Sequence, residues 1–156
     1  MTQRTWEGLI VIAGRPGMGA ARVAKALIAQ SGWTEGAYRL FDLSDGGPHI
    51  VTAEEVARYR ALQRETGVPV ILLSNLSRRT EEAVGTPVAP GEDVPDATRP
   101  RREDLPPGIY DVADLVLLVY RASHYRVTYG GEAPSDFEVL GFSSEGEKFL
   151  LTNLPV

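Results

Sequence analysis

The stretch "LIVIAGRPGMGAARVAKAL", residues 9–27, decides how the rest of the chain is read. Leu9 to Ala13 is a short apolar run, expected as a buried strand. Gly14 to Gly19 follows as a turn with three glycines and one proline. From Ala20 the pattern is helical, with Val23, Ala24, Leu27 and Ile28 on one face and Gly32 as the stop. Strand, glycine turn and helix in that order make a phosphate-binding loop, whose spacing is G-x-x-x-x-G-K-[ST]. Gly14 and Gly19 stand at the two glycine positions. Ala20 and Ala21 stand where the Lys and the Ser or Thr belong. The contour is present without its two chemical residues.

Outward from that stretch, the totals set bounds. The chain has 156 residues, of which 43% are hydrophobic, enough for one domain with a packed core. No apolar run approaches the length of a membrane span. "MTQRTWEG" carries no small-residue cleavage site, so no secretory signal is read there. With no cysteine, disulfides and thiol catalysis are excluded and most zinc sites with them, in keeping with a cytoplasmic protein. The net charge is -5, a handicap for a domain that would hold bare DNA backbone.

"AYRLFDL", residues 37–43, alternates and ends at "SDGGP", a plausible second strand. Thr52 with Glu55 is a capping box opening a helix, with Val56, Ala57 and Leu62 as its apolar side and Gly67 as its end. "VPVILLSNL", residues 68–76, is the clearest strand, apolar enough to be covered on both faces. Residues 83–100 hold four prolines and two glycines and are expected to be a mobile loop within the domain. "DLVLLVYR", residues 114–121, is another buried strand. "SDFEVLGFSSEGEKFLLTNL", residues 135–154, reads as a hairpin turning near Glu145-Gly146. Trp6 and Trp33 are packing residues. His49 and His124 are loop residues without metal-ligand spacing. The alternation predicts an α/β fold, mostly parallel, with a C-terminal antiparallel hairpin.

Three separated segments resemble one family in its own order. "LIVIAGRPGMG" resembles the P-loop of the DnaB-type hexameric replicative DNA helicases. "GVPVILLSNLSRRTEE" resembles that family's strand ending in Ser-Gln-Leu-x-Arg. "RPRREDLPPGIYDVADLVLLVYRASHY" resembles its Arg-Pro-x-x-x-Asp-Leu segment with the apolar strand and Tyr-Arg after it. The resemblance implies a RecA-like P-loop NTPase fold over residues 1–156. It also implies a nucleotide site built from Gly14, Arg15, Pro16, Gly17, Met18, Gly19, Ala20, Ala21, Asp42 and Asn75.

The chain departs from that family in a correlated way. Only Ser31 to Gly36 separates the first helix from the second strand, where the family carries its catalytic Glu strand and further helices. Two alignments are open. Asp42 is the remnant Walker B Asp, preferred because a helix and then the "VPV" strand follow it. Alternatively "FDLSDG" is the remnant of the Glu strand, with Ser44 at the Glu position. Either way one carboxylate is missing. Asn75 replaces the family's Gln. The family's hairpin supplies a Lys and an Arg finger to a neighbouring subunit, and here Phe142, Ser143 and Ser144 stand near those places. Alanine supplies neither the Lys charge on the β and γ oxygens nor the magnesium-ligating hydroxyl. The helix N-terminus and the glycines remain, so weak ATP or phosphate binding is retained as an expectation. Arg78, Arg79, Arg101 and Arg102 flank the Pro-rich loop and are the candidates for holding nucleic-acid phosphates. Glu81, Glu82, Glu92, Asp93, Asp96, Glu103 and Asp104 crowd the same stretch and weigh against it.

Three readings compete. The first is a naturally decayed, catalytically inactive module that binds a protein partner, a replicative helicase or its loader among the candidates, in DNA replication or a phage setting. The second is an active helicase-like ATPase drawing its cation from Arg15 or Arg22. The third is an unrelated α/β binding domain with a coincidental glycine turn. The first is preferred over a decay engineered only at Ala20-Ala21, because the shortening and the blank finger accompany the P-loop losses. No metal, no resident cofactor and no catalytic residue are assigned. A monomer or dimer is expected, since the ring-forming N-terminal domain of the family is not in this chain.

Overall fold

Five consecutive buried residues place strand β1, Leu9–Ala13, in the interior of the sheet. The computed structural model describes residues 6–15, 19–44, 49–77, 99–121 and 137–152. After β1 come α1 (Ala20–Ser31), β2 (Arg39–Asp42), α2 (Ala53–Thr66) and β3 (Val70–Ser74). A 3-10 turn (Arg102–Asp104) and a short helix α3 (Ile109–Val112) precede β4 (Leu115–Arg121). The hairpin strands β5 (Phe137–Ser143) and β6 (Lys148–Thr152) close the order.

The six strands lie in the order β2-β3-β1-β4-β5-β6. β2, β3, β1 and β4 run parallel, with Leu9 opposite Val70 and Ile10 opposite Leu115. β5 and β6 run antiparallel, with Leu118 opposite Leu140 and Leu140 opposite Leu150. The mostly parallel sheet with its terminal hairpin is the one expected. The chain moves from β1 out to β2 across α1, then back to β3 across α2. Opposite directions of travel put the two helices on opposite faces, because parallel crossovers keep one hand.

Pleating then sorts the apolar residues into two cores. Ile10, Ile12, Ile71, Leu73, Leu117 and Val119 meet Val23, Ala24 and Leu27 of α1 on one face. Leu9, Val11, Val70, Leu72, Val116 and Leu118 meet Val56 of α2 and Ile109 and Tyr110 of α3 on the other. Both tryptophans join the first core, Trp6 buried and Trp33 partly so.

The stops and starts follow local chemistry. Gly32 and Gly67 end α1 and α2 in left-handed conformations, φ 68° and 72°. Thr52 Oγ1 accepts from the Glu55 N–H while the Glu55 carboxylate accepts from the Thr52 N–H, completing the expected capping box. Ala57 is a correction: it is exposed, and the buried side of α2 is Val56 with Ala53 and Tyr59 packed beside it. Tyr59 meets the ring of Phe41 at 4.8 Å. An aromatic contact thus replaces the aliphatic stripe expected of that helix. The second strand is shorter than expected, Arg39–Asp42, because Leu43 and Ser44 already turn. The Pro-rich stretch lies outside the described residues except Arg99 and Pro100, and His124 lies outside them altogether.

Candidate functional site

The carboxyl ends of β2, β3, β1 and β4 converge on one cleft of about 380 Å³. Gly14, Arg15, Gly19, Ala20, Ala21, Asp42 and Asn75 all line it. They reach it from separate segments, so the sheet assembles what the sequence scatters. Pro16, Gly17 and Met18 lie outside the described residues. The position has a topological cause. From β1 the chain departs toward β2, whereas from β3 it departs to the other side, toward β4. Crevices at such reversals are where open α/β sheets place their ligands.

Gly19 caps α1 with φ 89° and ψ 33°, a conformation that a side chain resists. Its carbonyl accepts the Val23 N–H at 3.0 Å, and it has no side chain to occupy the helix N-terminus. No acidic residue stands in the first turn of α1. α2 differs, since Thr52, Glu54 and Glu55 fill its own N-terminus.

Ala20 and Ala21 open α1 on the cleft wall, carrying no ammonium and no hydroxyl. The Asp42 carboxylate accepts from the Ser44 hydroxyl at 2.6 Å and from the Ser44 N–H at 3.0 Å. It therefore serves the turn that ends β2. Asn75 is 2% exposed, and its N–H donates to the His49 carbonyl at 3.2 Å. Ser74 Oγ accepts from the Val51 N–H, binding the end of β3 to the approach of α2. These residues do not fit a magnesium nucleotide held in the P-loop manner: Ala21 provides no metal ligand and Ala20 no charge on the terminal phosphates. Among the described residues, no three His, Cys, Asp or Glu side chains gather as a metal-binding group.

What the cleft does contain is arginine. Arg15, Arg22 and Arg121 all line it. Arg15 is buried and donates from Nη1 to the Leu76 carbonyl at 3.0 Å, which fixes the turn after β1 to the segment after β3. Arg22 is exposed, on the first turn of α1, and despite sitting two residues past the Lys position it does reach the cleft wall. Sequence reasoning misses Arg121. A signal exists, since Tyr120-Arg121 closes the apolar run of β4, but its importance depends on β4 lying beside β1.

The other candidates divide. Arg78 and Arg79 lie outside the described residues. Arg101 is exposed and donates its N–H to Asp104 Oδ2 at 2.7 Å. The Arg102 guanidinium lies 4.5 Å from the centre of the Tyr110 ring and 6.0 Å from that of Phe142. Tyr110 in turn donates its hydroxyl to the Arg102 carbonyl at 2.7 Å, and burial pushes its phenol pKa well above the usual value. Arg102 thus clamps α3 and the hairpin. Asp104 is 3% exposed and accepts from the Ser77 hydroxyl at 2.9 Å, tying the two family-like segments together. Ser143 and Ser144 sit beside Leu115 and Asp114, at the amino end of β4, and so at the far end of the sheet from the cleft.

No family model matches the sequence, and no curated protein matches it. Solved structures do. One similar structure is the ATPase domain of a DnaB-like helicase, with a TM-score of 0.62 at 14% identity over 93% of this chain and 80% of that one. Another is a DnaB-like replicative helicase, described with its interactions with primase, at a TM-score of 0.51 and 18% identity. The match takes in 89% of this chain but only 32% of that helicase chain, about a third of its length. At such identities the likeness speaks for the fold. The strand order, the two-sided core and the hairpin together give this chain the RecA-like α/β fold of the DnaB-type helicase ATPase domain.

Proposed function

We propose that the chain is a non-catalytic RecA-like module that works by binding, in DNA replication or a phage setting, with a protein partner such as a replicative helicase or its loader. The observation that carries this reading is the pair Ala20-Ala21 at the head of α1, set in a cleft whose surrounding strands are intact. Losing one charged hydrogen bond to phosphate costs roughly 1.5–3 kcal/mol, and the missing metal ligand adds to that. The Asp42 carboxylate, occupied by Ser44, does not restore it.

The test is incubation of the chain with magnesium and ATP while inorganic phosphate is measured. The expected result is no release above background. Steady turnover overturns the reading. The double variant Ala20→Lys, Ala21→Thr sharpens it: magnesium-dependent ATP binding that appears only in the double variant marks the two alanines as the site of the loss. Recovery of a specific partner with the tagged chain then identifies the process.

A second reading, an ATPase with a non-standard loop, is favoured by one observation, that Arg22 and Arg121 line the cleft where the Lys is missing. Arg22→Gln separates the two. It abolishes phosphate release if an arginine has taken over the Lys role, and has no turnover to abolish if the module is non-catalytic.

A further inference from the structure

We infer that the glycine-turn cleft takes a di- or triphosphate group directly on guanidinium groups, without a divalent cation between them. This rests on the non-catalytic reading above and names the ligand class of the same cleft.

The first ground is the balance of charge. Among the described residues, three arginines and one carboxylate line the cleft, Arg15, Arg22 and Arg121 against Asp42. They come from the turn after β1, the first turn of α1 and the end of β4, so the fold itself concentrates them. The Asp42 carboxylate already accepts two hydrogen bonds from Ser44. Guanidinium groups stay charged at any working pH and meet phosphate oxygens two at a time. The second ground is the metal side. Magnesium asks for oxygen ligands in a near-octahedral set, and Ala20 and Ala21 contribute no side-chain oxygen. A bound cation would also add charge of the sign already in excess. The third ground is size. At about 380 Å³ the cleft is near the small end of ligand sites. It suits a phosphate chain better than a whole nucleotide, so the phosphates and not the base are recognised.

The experiment is calorimetric titration of the full chain with tripolyphosphate, ATP and GTP, each in EDTA and in excess magnesium. The expected result is binding in EDTA that magnesium leaves unchanged or weakens, with ATP and GTP alike. Tripolyphosphate tighter than the nucleotides points to an inorganic source, and the reverse to a nucleotide; either supports the inference. Arg22→Gln is expected to weaken binding roughly tenfold or more, and Arg121→Gln likewise. Lys25→Gln, exposed on the same helix but outside the cleft, is the control and leaves affinity unchanged. Melting curves of the variants verify the fold. No binding in EDTA, binding that magnesium strengthens, or equal weakening by Arg22→Gln and Lys25→Gln overturns the inference. Phosphate release from ATP overturns instead the non-catalytic reading, so the two failures are told apart.

Discussion

The two ends of the parallel strands treat charge in opposite ways. At the amino ends, Arg60 of α2 and Asp114 ahead of β4 form a two-armed ion pair, one arm at 2.8 Å. Asp114 Oδ2 also accepts the Leu9 N–H at 2.8 Å, so one carboxylate fastens a helix to the central strand. Gly8 beside it has φ 76°, and a β-carbon there would collide with the Asp114 carboxylate. At the carboxyl ends, three arginines share a cleft with one carboxylate among the described residues. The first end is matched for stability. The second collects one sign of charge, an arrangement that costs folding energy and suits a ligand of the other sign.

The contrast is broken most directly at Gly8. Gly8→Ala puts a side chain into the left-handed region and into the Asp114 carboxylate. Thermal unfolding is expected to show a loss of about 2–4 kcal/mol. A loss below about 0.5 kcal/mol would mean that the amino end is not closely fitted. Asp114→Asn comes next, at about 1–2 kcal/mol, held to that size because the pair is partly exposed. Its signature is also in pH. The hydrogen bonds from Arg60, aided by the Leu9 N–H and opposed by burial, hold the Asp114 carboxyl below the usual carboxylate range. A depressed pKa contributes stability that is present above the unfolded value, about 3.9, and lost as pH falls through the folded one. The wild-type chain is therefore expected to lose this contribution below about pH 4, and denaturant titrations of Asp114→Asn to show a flatter acid limb. Thr52→Ala, which removes the capping box of α2, follows at about 1 kcal/mol. The smallest effect belongs to the cleft. Arg22→Gln is expected to leave stability within about 0.5 kcal/mol or to raise it slightly. A clear loss there would show that the cleft charge serves the fold.

The sequence is legible where structure is local. β1, β3 and β4 are unbroken apolar runs, which need only burial on both faces to be strands. α2 declares itself through Thr52 and Glu55, three residues apart. The three segments resembling DnaB-type helicases lead to the fold that the similar structures share. Legibility fails where partners are distant. Arg60 and Asp114 are 54 positions apart, and no periodicity joins them. Arg102, read as a candidate for phosphate, gains its place on Tyr110 only because α3 forms beneath it, and α3 is a single turn after Pro106-Pro107-Gly108 with no pattern of its own. Arg121 becomes a cleft residue only through the pairing of β4 with β1. Whether the candidate site holds phosphate is for the titrations to decide.

The interior position of β1 has a consequence for how the molecule comes into being. Its residues are translated early, yet Leu9 meets Asp114 only after 105 further residues have been made. Until then one flank of a wholly apolar strand has no neighbour on the growing chain. Pairings of such long sequence separation form slowly and leave sticky intermediates. Completion of the sheet, including the wall that carries Arg121, therefore waits on β4 leaving the ribosome.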